Sequence, residues 1–137
     1  MKEKYVNLYM KMSVEVAKLS YANRLKVGSV IVKDDRMISL GYNGTAKGWD
    51  NQCEDENNKT KPEVIHSEAN AISKLAASTE SGKGATMFVT HAPCIECAKL
   101  IYGAGIVEVY YEKDYRDPSG IEFLKKCGIY VNRRDND

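Results

Sequence analysis

A chain of 137 residues with 43% hydrophobic content is long enough for one domain that buries roughly two thirds of the surface its unfolded form exposes, so no disulfide scaffold is required. Its 20 Lys and Arg against 19 Asp and Glu leave a formal charge of +1, which supplies no global positive field for a polynucleotide backbone and favours a small substrate. No apolar run approaches the roughly 20 residues that cross a bilayer, and the lysines of MKEKYVNLYMKM break what a signal peptide keeps apolar; the expected location is the cytoplasm, a host cytoplasm if the source is viral.

In chain order, Leu8, Met12, Val16 and Leu19 recur at helical spacing and predict a first amphipathic helix over Val6 to Ser20, with Lys11, Glu15 and Lys18 on its polar face. Val27 to Val32 and Met37 to Tyr42 are β-rich runs parted by Lys33-Asp34-Asp35-Arg36, the pattern of an antiparallel hairpin. Gly41-Tyr42-Asn43-Gly44 breaks the second strand, and the polar stretch Cys53 to Pro62 reads as an exposed insertion within the domain. A helix from His66 to Ala77 follows, its apolar stripe Ala69, Ile72, Leu75 and Ala76. Then come a strand at Thr86 to Thr90, a helix at Cys94 to Tyr102, a strand at Val107 to Tyr111, a helix at Pro118 to Lys126 and a strand at Ile129 to Val131. Gly103, Gly105 and Gly128 stop the helices. This order predicts a three-layer α/β/α domain over residues 1–137 around a five-stranded mixed sheet. The first two strands pair antiparallel, and the later ones, joined by helical crossovers, run parallel.

Two fragments carry chemistry: His66-Ser67-Glu68 and Pro93-Cys94-Ile95-Glu96-Cys97, each opening a predicted helix on the same edge of the sheet. Zinc takes nitrogen and thiolate donors at about 2.0–2.3 Å, and a catalytic site uses three protein ligands with a fourth position left to water. His66, Cys94 and Cys97 can be those three. The Cys-x-x-Cys spacing puts both sulfurs on one helical face near a helix N-terminus, which favours thiolate. Glu68, two residues past His66, reaches the same point without being a ligand and is the candidate general acid/base. Taken alone, the cysteine pair also fits a structural zinc site, for which His91, Cys53 or Cys127 would have to supply a fourth donor, or a redox pair; combined with His-x-Glu it matches the signature of zinc deaminases.

At this point the chain resembles the deoxycytidylate (dCMP) deaminases. The likeness runs from about Val27 to Tyr115 through VGSVIV (Val27 to Val32), GYNG (Gly41 to Gly44), HSEANAI (His66 to Ile72), GATMFVTHAPCIECAKLI (Gly84 to Ile101) and the following Gly105-Ile106. The resemblance implies the cytidine-deaminase-like fold, Zn²⁺ on His66, Cys94 and Cys97, and hydrolysis of dCMP to dUMP and ammonia by attack of activated water on C4, Glu68 carrying the proton first to N3 and then to the leaving amine. The dUMP would feed thymidylate synthesis. Ser67 stands where the commoner form has alanine. Backbone groups around Ser67 and Ala92 are expected to read the cytosine, Asn43 to contact the sugar, Tyr115 to pack on the ring, and Arg24 and Lys26 to hold the 5′-phosphate. Asn43-Gly44 is equally a common turn pair, the two cations equally surface charges, and Tyr110, Tyr111 and Tyr115 equally packing residues. The resemblance also implies regulation at Gly41, Tyr42, Asn43 and Gly44, with dCTP activating and dTTP inhibiting, Mg²⁺ accompanying the triphosphate, and a homo-oligomer, favoured as a hexamer. Trp49 and Cys53 receive no role, and Cys127 reads as a small apolar residue at a helix end.

Two rivals remain at this stage. A tRNA adenosine deaminase shares the zinc motif but should show a basic surface, and here only Arg133 and Arg134 cluster near the terminus, ahead of Asp135 and Asp137. A zinc-stabilised nucleotide sensor without catalysis would bind through Gly41 to Gly44, yet has no need of Glu68.

Overall fold

The alternation of apolar residues along each strand decides which layer each side chain joins. In the computed structural model, which describes residues 1–135, β1 (Gly28–Lys33) and β2 (Arg36–Tyr42) form the hairpin, followed by α2 (Ser67–Ala76), β3 (Thr86–His91), α3 (Ile95–Gly103), β4 (Glu108–Lys113), α4 (Ser119–Lys126) and β5 (Tyr130–Arg133), with α1 (Glu3–Ala17) ahead of them all. The hairpin closes on Asp34 and Asp35, whose φ of 52° and 60° give the left-handed two-residue turn that matches strand twist. The sheet order is β2-β1-β3-β4-β5, with β1 antiparallel to both neighbours and β3, β4 and β5 mutually parallel. This is the expected α/β/α fold with a five-stranded mixed sheet.

Val30 and Val32 of β1, Phe88 of β3 and Tyr110 of β4 face α1, joining its Val6, Tyr9, Met10 and Val16. The alternate residues Ile31, Met87, Val89 and Val109 face α2, α3 and α4 with Ala71, Leu75, Ala98, Ile101 and Leu124. On the α1 side the rings of Tyr9, Phe88 and Tyr110 follow one another at 5.4 and 5.2 Å, and Tyr130 of β5 continues the row at 5.9 Å. Such contacts add to what area burial alone contributes.

Two sequence-based expectations are corrected here. Helix α1 buries Val6, Tyr9, Met10, Ser13, Val16 and Ala17, whereas Leu8 and Leu19 of the expected stripe are 48% and 57% exposed. The true face is rotated by about 100°, one residue's turn. Ser13 sits in it because its hydroxyl donates to the Met10 carbonyl at 2.6 Å, so its own buried hydroxyl is not left open. In α2 the buried residues are Ser67, Glu68, Ala71 and Leu75, with Ala76 exposed. The stretch Cys53 to Pro62 is exposed over most of its length as expected, but it is anchored at its start: Cys53 is buried with Ala22 and Val64, and the Glu54 carboxylate accepts from the backbone N–H groups of Asn23 and Arg24 at 3.1–3.2 Å.

Two glycines bring the site-bearing helices to the sheet. A Cβ at Gly41 would lie 2.4 Å from the Ser67 carbonyl oxygen and 2.6 Å from the Ala71 nitrogen, and one at Gly120 would lie 2.1 Å from the Pro93 carbonyl oxygen. Gly41 therefore seats α2 on β2, and Gly120 seats α4 on the segment that leads into α3. Among the described residues no helix is long and apolar enough to cross a membrane.

Candidate active site

The N-termini of α2 and α3 meet at the ends of the central strands, with His66 and Cys94 as their N-cap residues. His66 Nδ1 lies 3.6 Å from Cys94 Sγ and 3.4 Å from Cys97 Sγ, and the donor atoms of all three fall within 4.8 Å of one another. A tetrahedral zinc with nitrogen at 2.0–2.1 Å and sulfur at 2.3 Å spaces its donors about 3.6 Å apart, so this set fits zinc. Among the described residues no fourth His, Cys, Asp or Glu joins the cluster, which fits the three-ligand catalytic pattern better than a closed structural one. The donors considered for a closed site lie elsewhere: Cys53 in its own apolar cluster, Cys127 against the main core, and His91 outside the ligand group.

The electrostatics suit a cation. The Cys97 thiol, then His66, hydrogen-bonds to Cys94 and holds its thiol down at about 4, while the same bond and burial hold Cys97 well above the usual thiol range. Two sulfurs sharing one proton are ready to exchange it for a divalent ion and bind as thiolates. The hydrogen bond with Cys94 raises His66 despite burial.

Glu68 is 4% exposed, and burial raises its carboxyl above the ordinary range, opposed by a hydrogen bond that Ser67 Oγ donates to Oε1 at 2.6 Å. Burial of this sort moves a carboxyl toward the pH at which it can both take and give a proton. The Ser67 carbonyl oxygen is itself engaged by Ser29 Oγ at 2.9 Å.

Around this centre opens a cavity of about 400 Å³ that brings together Arg24, Asn43, His66, Ser67, Glu68, Ala92, Cys94 and Tyr115. Cys97 stands behind, buried, and Lys26 does not line the cavity. Sequence reading missed Val27, Thr60, His91, Asp114 and Arg116 on its wall. Only Arg116 carried a signal, as a cation next to Tyr115. Asn43 is tied into the fold: its Oδ1 accepts from the Val27 N–H at 2.9 Å and its Nδ2 donates to the Leu25 carbonyl at 2.8 Å, leaving one amide hydrogen for a ligand. Burial, then Lys113, holds His91 below its usual value, and its Nδ1 lies 2.8 Å from Thr90 Oγ1.

A second cavity, of about 500 Å³, lies beside the first and shares Asn43; Tyr42, Gly44, Lys47 and Lys74 also line it. Gly41, expected with them, faces α2 instead. Arg133 pairs with Asp114 at 2.9 Å, and Arg134 pairs with Glu3 and with Asn7 Oδ1, the latter at 3.0 Å. The basic pair near the terminus is thus engaged within the fold; Asp137 lies outside the described residues.

Three soft and borderline donors with an open position, beside a buried carboxyl on an α/β/α scaffold, define a hydrolytic zinc site. Residues 3–113 match the family described as "Cytidine and deoxycytidylate deaminase zinc-binding region", and the chain belongs to it. It is 39% identical over 134 residues to ComE operon protein 2 of Bacillus subtilis (strain 168), covering 94% of this chain and 70% of that one. It is 32% identical over 143 residues to deoxycytidylate deaminase of Saccharomyces cerevisiae, covering 97% of this chain and spanning 46% of the yeast protein. The crystal structure of dCMP deaminase from the cyanophage S-TIM5, in complex with dCMP and dUMP, superposes with a TM-score of 0.96 at 40% identity, over 98% of this chain and 99% of that one.

Proposed function

We propose that this protein hydrolyses dCMP to dUMP and ammonia, a step that supplies dUMP for thymidylate synthesis. The observation that carries the reading is the cavity on whose wall His66, Cys94 and the buried Glu68 stand, with Cys97 completing the donor cluster behind it. The near-complete superposition on a dCMP- and dUMP-bound deaminase supports it.

Held by His66, Cys94 and Cys97, zinc would lower the pKa of a water at the open position and polarise it for attack. Glu68 takes one proton from the attacking water and passes it to N3 as the hydroxyl adds to C4, then takes the second proton from that hydroxyl and gives it to the amine, which leaves as ammonia while C4 becomes the uracil carbonyl. Ser67 holds the Glu68 carboxyl in one orientation. Tyr115 and Val27 sandwich the base, Ala92 offers backbone groups to its edge, and Asn43 gives its remaining amide hydrogen to the sugar. Arg24 and Arg116 hold the 5′-phosphate, since both line the cavity and an Arg fork matches phosphate oxygens. Lys26 lies off that wall and takes no part in our reading.

The second cavity is our candidate for regulation, with dCTP activating and dTTP inhibiting. Tyr42, Asn43 and Gly44 line it, Lys47 and Lys74 can meet a triphosphate with its Mg²⁺, and Asn43 links it to the substrate cavity. We place the enzyme in the cytoplasm as a homo-oligomer, with a hexamer favoured. Sedimentation with and without dCTP tests the assembly.

The deciding experiment measures ammonia release by zinc-loaded protein from dCMP, CMP, deoxycytidine and a tRNA anticodon stem, each with and without dCTP and Mg²⁺. Turnover of dCMP with little of deoxycytidine is expected, because the two cavity arginines have a phosphate to hold only in the former. Turnover of the RNA alone would overturn the substrate. Nucleotide binding without any turnover would favour the sensor.

A further inference from the structure

The loop after β4 carries Asp114, Tyr115 and Arg116 on the cavity wall, and its fastening lies on β5, the last strand. Arg133 donates from Nη1 to Asp114 Oδ2 at 2.9 Å and from Nε to the Glu112 carbonyl at 3.1 Å, with Asp135 Oδ1 3.6 Å from Nε as a third neighbour. The other Asp114 oxygen accepts from the Tyr111 hydroxyl at 3.2 Å. The parallel register that sets Tyr111 opposite Arg133 puts these groups within reach of one another. One guanidinium therefore grips the end of β4 and the first residue beyond it, while Tyr111 braces the same carboxylate. Arg133 itself does not line the cavity.

We propose that Arg133 is a positioning residue for the deamination, holding the 114–116 loop through Asp114 so that Tyr115 and Arg116 face the nucleotide. The proposal rests on the dCMP reading above. The family model matches residues 3–113, and Arg133 lies beyond it. The pair is exposed, with 48% of the Arg133 and 63% of the Asp114 side chain open to solvent, and exposed ion pairs contribute little to global stability. Its effect falls on the conformation of a short loop, where small misplacements of a binding group are felt strongly. The two-point grip needs the fork of arginine; lysine can make one of the contacts at a time.

The test uses the full zinc-loaded chain, with steady-state kinetics on dCMP and the rate of tryptic cleavage after Arg116. Arg133→Ala is expected to raise KM about five- to tenfold with kcat within about twofold. It should also speed cleavage after Arg116 severalfold, leaving cleavage after Lys47 and the melting temperature unchanged. Arg133→Lys should recover part of both effects, and in an Asp114→Ala background Arg133→Ala should add nothing further. Wild-type KM and cleavage in Arg133→Ala, losses that multiply with those of Asp114→Ala, or a joint fall of kcat and melting temperature would each overturn the proposal. If the wild-type protein does not turn over dCMP, the substrate reading fails, and the cleavage comparison still decides whether Arg133 holds the loop.

Discussion

Ser67 and Glu68 are consecutive, both buried, and joined by a 2.6 Å hydrogen bond from hydroxyl to carboxylate. That bond favours the ionised carboxylate against the burial that disfavours it. In Ser67→Ala the opposing influence is gone, so the Glu68 pKa rises and the acidic limb of the rate profile on dCMP moves to higher pH; a profile of kcat/KM against pH reads the shift directly. Glu68→Gln keeps the volume and removes the proton carrier, and turnover is expected to fall by about 10²–10⁴-fold, the usual contribution of a general acid/base, with zinc content unchanged by metal analysis. The same variant has a stability signature in the chelated protein. A carboxyl whose folded pKa is raised favours the fold below its unfolded pKa and loses that contribution as pH rises through the folded value. Glu68→Gln has no such loss, so it should melt higher than the wild type at pH 8, by on the order of 1 kcal/mol, and the gap should close on acidification toward pH 5. His66, Glu68, Cys94 and Cys97 were legible because their spacing in sequence is their geometry on two helix starts. Thr60, His91 and Arg116 were not, because each reaches the cavity from a separate segment and only tertiary structure brings them together.

Elements carry the site as rigid pieces, and α2 is the one whose seating is tightest. The missing Cβ of Gly41 leaves room for the backbone of Ser67 and Ala71, so Gly41→Ala must lift the N-terminal half of α2, together with His66 and Glu68. Overpacking of this sort costs about 1–3 kcal/mol. Chemical denaturation should show that loss, and zinc affinity measured by competition with a chromogenic chelator should fall with it, although residue 41 touches neither metal donor nor cavity. The order and type of the elements could be read from sequence because strand and helix periods are local properties. The rotation of α1 could not: Leu8 and Leu19 look like core and are exposed, while Ser13 looks like surface and is buried. What decides it is the hydrogen bond from Ser13 to Met10 and the sheet residues opposite, Val30, Phe88 and Tyr110. In the Cys53 to Pro62 segment polar composition correctly signals exposure but hides one anchoring carboxylate, Glu54, and one buried cysteine.

For the molecule as a whole, zinc held by His66, Cys94 and Cys97 would join two helices that otherwise meet only through the sheet and modest packing against each other. A bound ion at 100 times its dissociation constant stabilises the folded state by about 2.7 kcal/mol, and a chain of this size gains roughly 3–5 °C for each kcal/mol. Chelation should therefore abolish turnover and lower the melting temperature by about 10 °C, and added Zn²⁺ should restore both; a melting temperature indifferent to chelation would show that the three donors hold no tightly bound ion. The donors and Glu68 all lie between residues 66 and 97, on the two helices flanking β3, whereas β4 and β5 come later and α1 contributes no donor. During synthesis the complete donor set leaves the ribosome before β4 and β5 emerge. Metal capture can thus precede completion of the sheet, which makes the availability of zinc a matter of how the nascent chain folds as well as of what the finished protein does.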